Sequence, residues 1–158
     1  MLNEIPLKNK DGFSIYSPVK WVPFDSAYFT QLKSVLEANE NLIPLELVGG
    51  YQSIQLATCI ISKVKTIKKS FKYIPNNYNE ILMAQFSTEN INVSQININN
   101  NPVLQYIISN NNHTVLKLFI SGIQNYQVDY IIPRGVYEAE LGKVESSIGT
   151  ITNKGENL

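Results

Sequence analysis

In 158 residues the chain has one cysteine, one histidine and one arginine, and only 16% of its residues are charged. Each scarcity excludes a class of chemistry. Cys59 permits no intrachain disulfide, and its setting in Leu56-Ala57-Thr58-Cys59-Ile60-Ile61 is that of a buried small hydrophobe. As a nucleophile it would need His113, the sole histidine, as its base. A single histidine also excludes His-based triads and multi-His metal centres, so neither a metal nor a cofactor is expected. The glycines never fall into a dinucleotide-binding or phosphate-loop pattern. With one arginine, Arg134, against 12 lysines, the bidentate fork that recognises carboxylate or phosphate is available at one position only.

Basic and acidic residues balance at 13 each, which argues against wrapping nucleic acid through bulk charge. No run approaches the ~18 apolar residues of a membrane-spanning helix, and the opening Met1–Lys8 lacks the apolar core of a signal peptide. The expectation is a soluble chain, made in the cytoplasm and away from membranes. Its length suits one domain, large enough to hold together without disulfides or metal.

What the chain has in excess is asparagine, 19 residues, and isoleucine, 20. Together with lysine these have the most A/T-rich codons, so the bias points first to an AT-rich genome. From Asn90 to Leu116 there is no charged residue at all. Within that stretch Ile91 to Asn99 alternates Ile or Val with Asn or Ser, with Gln95-Ile96 stepping out of phase as a bulge would, the pattern of a half-buried strand with a neutral polar face. Neutral amides desolvate more cheaply than charges, so such a face suits stacking against another copy of itself, or is a solvent face set by codon bias.

The hydrophobic pattern divides the chain into a polar N-terminal arm at 1–12, a single mainly β domain at 13–141 and a polar C-terminal tail at 142–158. Short alternating runs at Phe13–Tyr16 and Val19–Val22 read as strands. Asp25 or Ser26 caps a helix over about 25–38, with Ala27, Tyr28, Leu32, Val35 and Leu36 on its apolar stripe. Leu45–Val48 followed by Gly49-Gly50 reads as a strand entering a hairpin turn. Ser53–Tyr73 satisfies both a helical wheel and a strand alternation; its β-branched density favours the strand. Asn79–Phe86 is a short strand or a two-turn helix. Val103–Ile108 and Thr114–Ile120 form a hairpin about Asn110-Asn111-Asn112, and strands follow at Tyr126–Ile132 and Val136–Ala139. The fold class is α+β and mainly β: six to eight largely antiparallel strands in a sheet or sandwich, one helix, and polar arms at both ends.

Three sets of residues are candidates for contact. Lys63, Lys65, Lys68, Lys69 and Lys72 concentrate positive charge where no acid occurs between Glu46 and Glu80, and are the one place where nucleic acid or an acidic partner could bind. Tyr106 and Tyr130 lie among Asn and Gln on the C-terminal strands, the composition of a flat binding face and equally of a core. Arg134, in Pro133-Arg134-Gly135, has the residue type and turn position of an interface anchor. Glu138 and Glu140, two apart on the last strand, with Asp129 nearby, are the only arrangement that would serve a carboxylate-based hydrolase.

The absence of catalytic patterns, the low charge and the Asn-rich strands point to a non-enzymatic structural subunit. The expectation is a component of a virus or phage particle, such as a capsid accessory, connector or tail ring protein, in a homo-oligomer or with other subunits. The alternative is a monomeric carbohydrate- or protein-binding β module.

Overall fold

Alternating β-branched and aromatic residues need a layer on each side to bury both faces, and the chain supplies one. The computed structural model describes residues 5–38, 43–65, 74–86 and 90–154. Its elements are β1 (Leu7–Lys8), β2 (Ser14–Ile15), β3 (Val22–Pro23), α1 (Ser26–Glu37), β4 (Leu45–Gln52), β5 (Thr58–Val64), α2 (Ile74–Gln85), β6 (Asn90–Ile98), β7 (Asn101–Ser109), β8 (His113–Ile120), β9 (Asn125–Pro133), a 3-10 turn (Arg134–Val136) and α3 (Tyr137–Ile148). Seven strands form one antiparallel sheet in the order β3-β4-β5-β9-β8-β7-β6, and β1 pairs with β2 apart from it. The fold is therefore α+β and mainly β.

β9 is central and its side chains are buried almost throughout. On one face Tyr126, Val128, Tyr130 and Ile132 pack with Cys59, Ile61, Leu116 and Leu118 beneath α3 and the β1–β2 hairpin. On the other, Tyr78 and Leu82 of α2 pack on Val64, Tyr106, Ile108 and Phe119. The bulge between Leu47 and Gly49 shifts the β4 register against β5. Gly49 then faces Leu7 and Gly50 faces Phe24.

Four readings of the sequence are corrected. Gly49-Gly50 is not a hairpin turn, because both residues lie within β4; the turn follows at 53–57, where Ala57 N–H donates to Ser53 Oγ at 3.0 Å. Gly50 is needed for space, since a Cβ there would lie 2.0 Å from Phe24 Cε2 and 2.6 Å from Cys59 O. The strand at 136–139 is the 3-10 turn and the start of α3. The polar tail from 142 is not an arm, because α3 runs through that boundary with Tyr137, Leu141, Val144 and Ile148 on one side, and Ile151 is fully buried. The strand preference for 53–73 applies to β5 alone; 66–73 lie outside the described residues.

Polar side chains hold the segments at 9–13 and 149–153 against the sheet. Tyr126 stacks on Phe13 with centroids 4.0 Å apart, receives a bond from Asn9 Nδ2 at 2.7 Å and donates to Asp11. Residues 9–13 are thus tied to the central strand rather than forming a free arm. Asn99 Nδ2 donates to the carbonyls of Gly149 and Ile151, and Asn101 exchanges bonds with the Asn153 backbone. Asn99 and Asn100 also take the left-handed conformation, at φ 49° and 66°, that the two-residue turn from β6 to β7 demands.

α1 is capped as expected, with Asp25 Oδ1 accepting from Tyr28 N–H at 2.7 Å. It packs along β4, yet none of its residues is fully buried. The glycine environments give a paired prediction. Gly50→Ala forces Phe24 or the strand to move and should cost about 2 kcal/mol. Gly142→Ala, in the α3 interior with nothing within 4 Å of its Cβ, should stabilise by about 0.5–1 kcal/mol. Urea midpoints check both; equal midpoints would contradict this packing.

Candidate functional site

The sheet has two edges of different character. On one side β3 is two residues long, ends in Pro23 and pairs only Tyr51 and Gln52 of β4; the rest of that outer strand carries Glu46 and the bulge between Leu47 and Gly49, both of which discourage pairing. The β6 edge is nine residues, Asn90–Ile98, paired to β7 in unbroken register from Asn90↔Ser109 to Ile98↔Asn101. It contains no charge, no proline and no bulge, and six of its nine residues are exposed. An edge strand pairs inward only, so alternate N–H and C=O groups point outward. Among the described residues no backbone bond outside the ladders reaches 90–98.

Beside the start of this edge lies a cleft of about 750 Å³ on the α3 side of the sheet. Its floor is the register row Asn90, Ser109 and Thr114; its walls are Asn110–Asn111, Arg134–Gly135 and the first turn of α3 with Tyr137 and Glu138. The end wall is ordered from within, because Asn110 Oδ1 accepts from the N–H groups of Asn112 and His113, both at 2.8 Å. The Arg134 backbone N–H donates to Asn112 O at 2.9 Å, which fixes the strand end. Its exposed guanidinium makes no hydrogen bond or ion pair among the described residues.

The other sequence candidates do not assemble here. Tyr106 and Tyr130 are core residues, fully buried, and so correct the expectation of a contact face. Tyr106 donates to Asn79 Oδ1 at 2.9 Å, and the Tyr130 hydroxyl lies 2.7 Å from Ser147 Oγ. Lys63 is engaged by Asp11, with Nζ–Oδ2 at 3.2 Å. Lys65 is exposed at the end of β5, and Lys68, Lys69 and Lys72 lie outside the described residues.

The carboxylates are dispersed. Glu140 is buried on α3, accepting the Trp21 indole N–H at 2.9 Å with Lys143 at 3.5 Å, while Glu138 is exposed in the cleft. Asp129 lies on the opposite face of the sheet, 2.7 Å from Lys117 Nζ and bonded by Gln127 Nε2, which in turn positions its Oε1 for the Tyr78 hydroxyl. This arrangement gives no facing pair for acid–base chemistry. Burial pushes the Cys59 thiol well up, with the Asp129 charge adding to it, and His113 is exposed at the end of β8, so no thiol–imidazole pair forms. Among the described residues no group of three His, Cys, Asp or Glu could hold a metal ion. Nor is any described helix long and apolar enough to cross a membrane.

The β6 edge was visible in the sequence as a neutral alternating strand, but its position at the edge was not. Only the strand order supplies that.

Buried phenols give a measurable signature. Burial raises Tyr106 to about 12 and holds Tyr78 and Tyr130 well above the usual phenol range. Burial also raises Tyr126, assisted by its bond to Asp11. Because the folded state favours the neutral form, the stability these groups contribute is intact below about pH 10 and is lost as pH rises above it. An alkaline titration followed by phenolate absorbance should show a late group of tyrosines ionising together with loss of the fold. Smooth ionisation of every tyrosine near pH 10 with the fold retained would contradict the burial described.

No protein-family model matches the chain, and no curated protein matches it. A solved structure does: cyanobacterial PsbP (CyanoP) from Synechocystis sp. PCC 6803, with a TM-score of 0.54 at 9% identity over 94% of this chain and 91% of that one. At that identity the likeness is one of fold. It corrects the expectation of a virus or phage particle subunit, since the solved structure whose fold this chain shares is cyanobacterial PsbP.

Proposed function

We propose that the chain is a non-enzymatic protein-binding subunit that joins a larger assembly by adding an extended segment of a partner to its β6 edge. The observation that carries this reading is the edge itself: nine residues in unbroken register with none of the charges, prolines or bulges that keep edges unpaired. Strand addition draws its affinity from main-chain hydrogen bonds and its specificity from alternate side chains. Here those are Asn90, Asn92, Ser94 and Ile96 on one face and Ile91, Val93 and Gln95 on the other. The absence of charge avoids leaving an ion desolvated when a partner covers the strand.

A protein partner is favoured over a carbohydrate. Sugar faces are built on exposed aromatic rings, and here Tyr106, Tyr126 and Tyr130 are all fully buried. The exposed apolar tip of the β4–β5 turn, Ile54 and Leu56, offers only two side chains and no main-chain pairing.

Adjacent proline substitutions test the reading. N–H groups alternate in direction along β6, so of Val93→Pro and Ser94→Pro one removes an outward N–H and the other breaks the ladder to β7. The ladder variant should lose about 3 kcal/mol, and the outward variant should stay close to wild type in a urea melt. Affinity selection from a synthetic pool of random 12-residue peptides should enrich extended, alternating sequences on wild type and not on the stable proline variant. Equal enrichment on both, or none on wild type, would overturn the reading.

A further inference from the structure

Every pair in the seven-stranded sheet is antiparallel, and an antiparallel segment added to β6 runs opposite to it, entering beside Ile98 and leaving beside Asn90. Asn90 also lines the cleft. The carboxyl-terminal end of the added segment is therefore delivered to the mouth of the cleft whose far wall carries the chain's only arginine. From β6 to β9 the sheet spans three strand spacings, on the order of 14 Å, and the added strand lies one spacing beyond. Four or so extended residues, together with the reach of the arginine side chain, cover that distance.

We infer that this cleft is a carboxylate-binding site, in which Arg134 receives the C-terminal carboxylate, or an acidic side chain near the C-terminus, of the segment that pairs with β6. The inference rests on the strand-addition reading above and assigns the end of the ligand. The chemistry of the cleft fits it. Among the described residues the Arg134 guanidinium has no hydrogen-bond or ion-pair partner, and its planar fork matches a carboxylate bidentately. The amides of Asn90, Asn110 and Asn111 and the hydroxyls of Ser109 and Thr114 supply neutral hydrogen bonds along the route. Glu138, the acid among the described lining residues, stands with the α3 wall and disfavours a second negative charge beside it, so the site takes a single carboxylate rather than an acidic run.

The test resynthesises the enriched 12-residue peptides with a fluorophore at the N-terminus, each once with a free C-terminal carboxylate and once as the amide. Anisotropy titrations are then run on wild type, on Arg134→Gln and on the stable proline variant. Arg134 is exposed, so its replacement should leave the urea midpoint unchanged. On wild type, amidation should weaken binding by about tenfold or more, and on Arg134→Gln the two forms should bind alike and weakly. Peptides with Asp or Glu near the end that withstand amidation but still lose affinity on Arg134→Gln place the acidic side chain in the same site. Affinity unchanged by both amidation and Arg134→Gln, while the proline variant abolishes binding, overturns the carboxylate site and leaves strand addition standing. Undiminished binding to the proline variant removes both.

Discussion

Backbone hydrogen-bond closure is the constraint on which this structure depends. A buried N–H or C=O without a partner costs as much as a lost hydrogen bond, so a sheet with both faces covered must find a partner for each strand or end where water can reach it. β9 meets the constraint fully, lying between β5 and β8 with helices over both faces. At one side of the sheet the short β3 with its proline, and Glu46 and the bulge of β4 beside it, discourage pairing; at the other, β6 has no outward backbone partner among the described residues. The same constraint that orders the core thus defines the edge on which the strand-addition proposal rests.

The asparagine excess has a structural use that composition alone does not show. Asn99, Asn101 and Asn153 bind backbone groups where the chain is irregular, and Asn99 and Asn100 supply the left-handed turn that brings β7 back along β6. These amides act as local substitutes for missing ladder partners. Asn9 and Asp11 instead bond the Tyr126 hydroxyl, drawing the N-terminal segment onto the central strand. The polar segments at 9–13 and 149–153 are consequently integral to the fold.

The parts of this architecture legible in the sequence are those set by local periodicity. The hairpin about Asn110–Asn112, the capped helix after Asp25 and the strand at Tyr126–Ile132 each carry their signal within ten residues or so. What could not be read depends on contacts distant in sequence. Gly50 serves Phe24 packing across the strand. In α3, Tyr137, Leu141, Val144 and Ile148 keep ordinary helical spacing, but the Val136–Ala139 alternation and the Gly- and Ser-rich residues after it obscure that stripe. For the candidate site, the neutral character of Asn90–Ile98 and the singularity of Arg134 were evident. Their adjacency was not, because the strand order sets β6 at an edge and the β9–α3 junction turns Arg134 into the cleft beside it.

In the strand-addition proposal the sheet, packed about a doubly buried central strand, places one edge beside one cleft. Amide hydrogen exchange along Asn90–Ile98 in the isolated chain tests that claim most directly. The account predicts alternation, with N–H groups directed at β7 protected and their neighbours exchanging quickly into water. Uniformly slow exchange at all nine positions would show that the edge is already covered, and would contradict a strand left open for a partner.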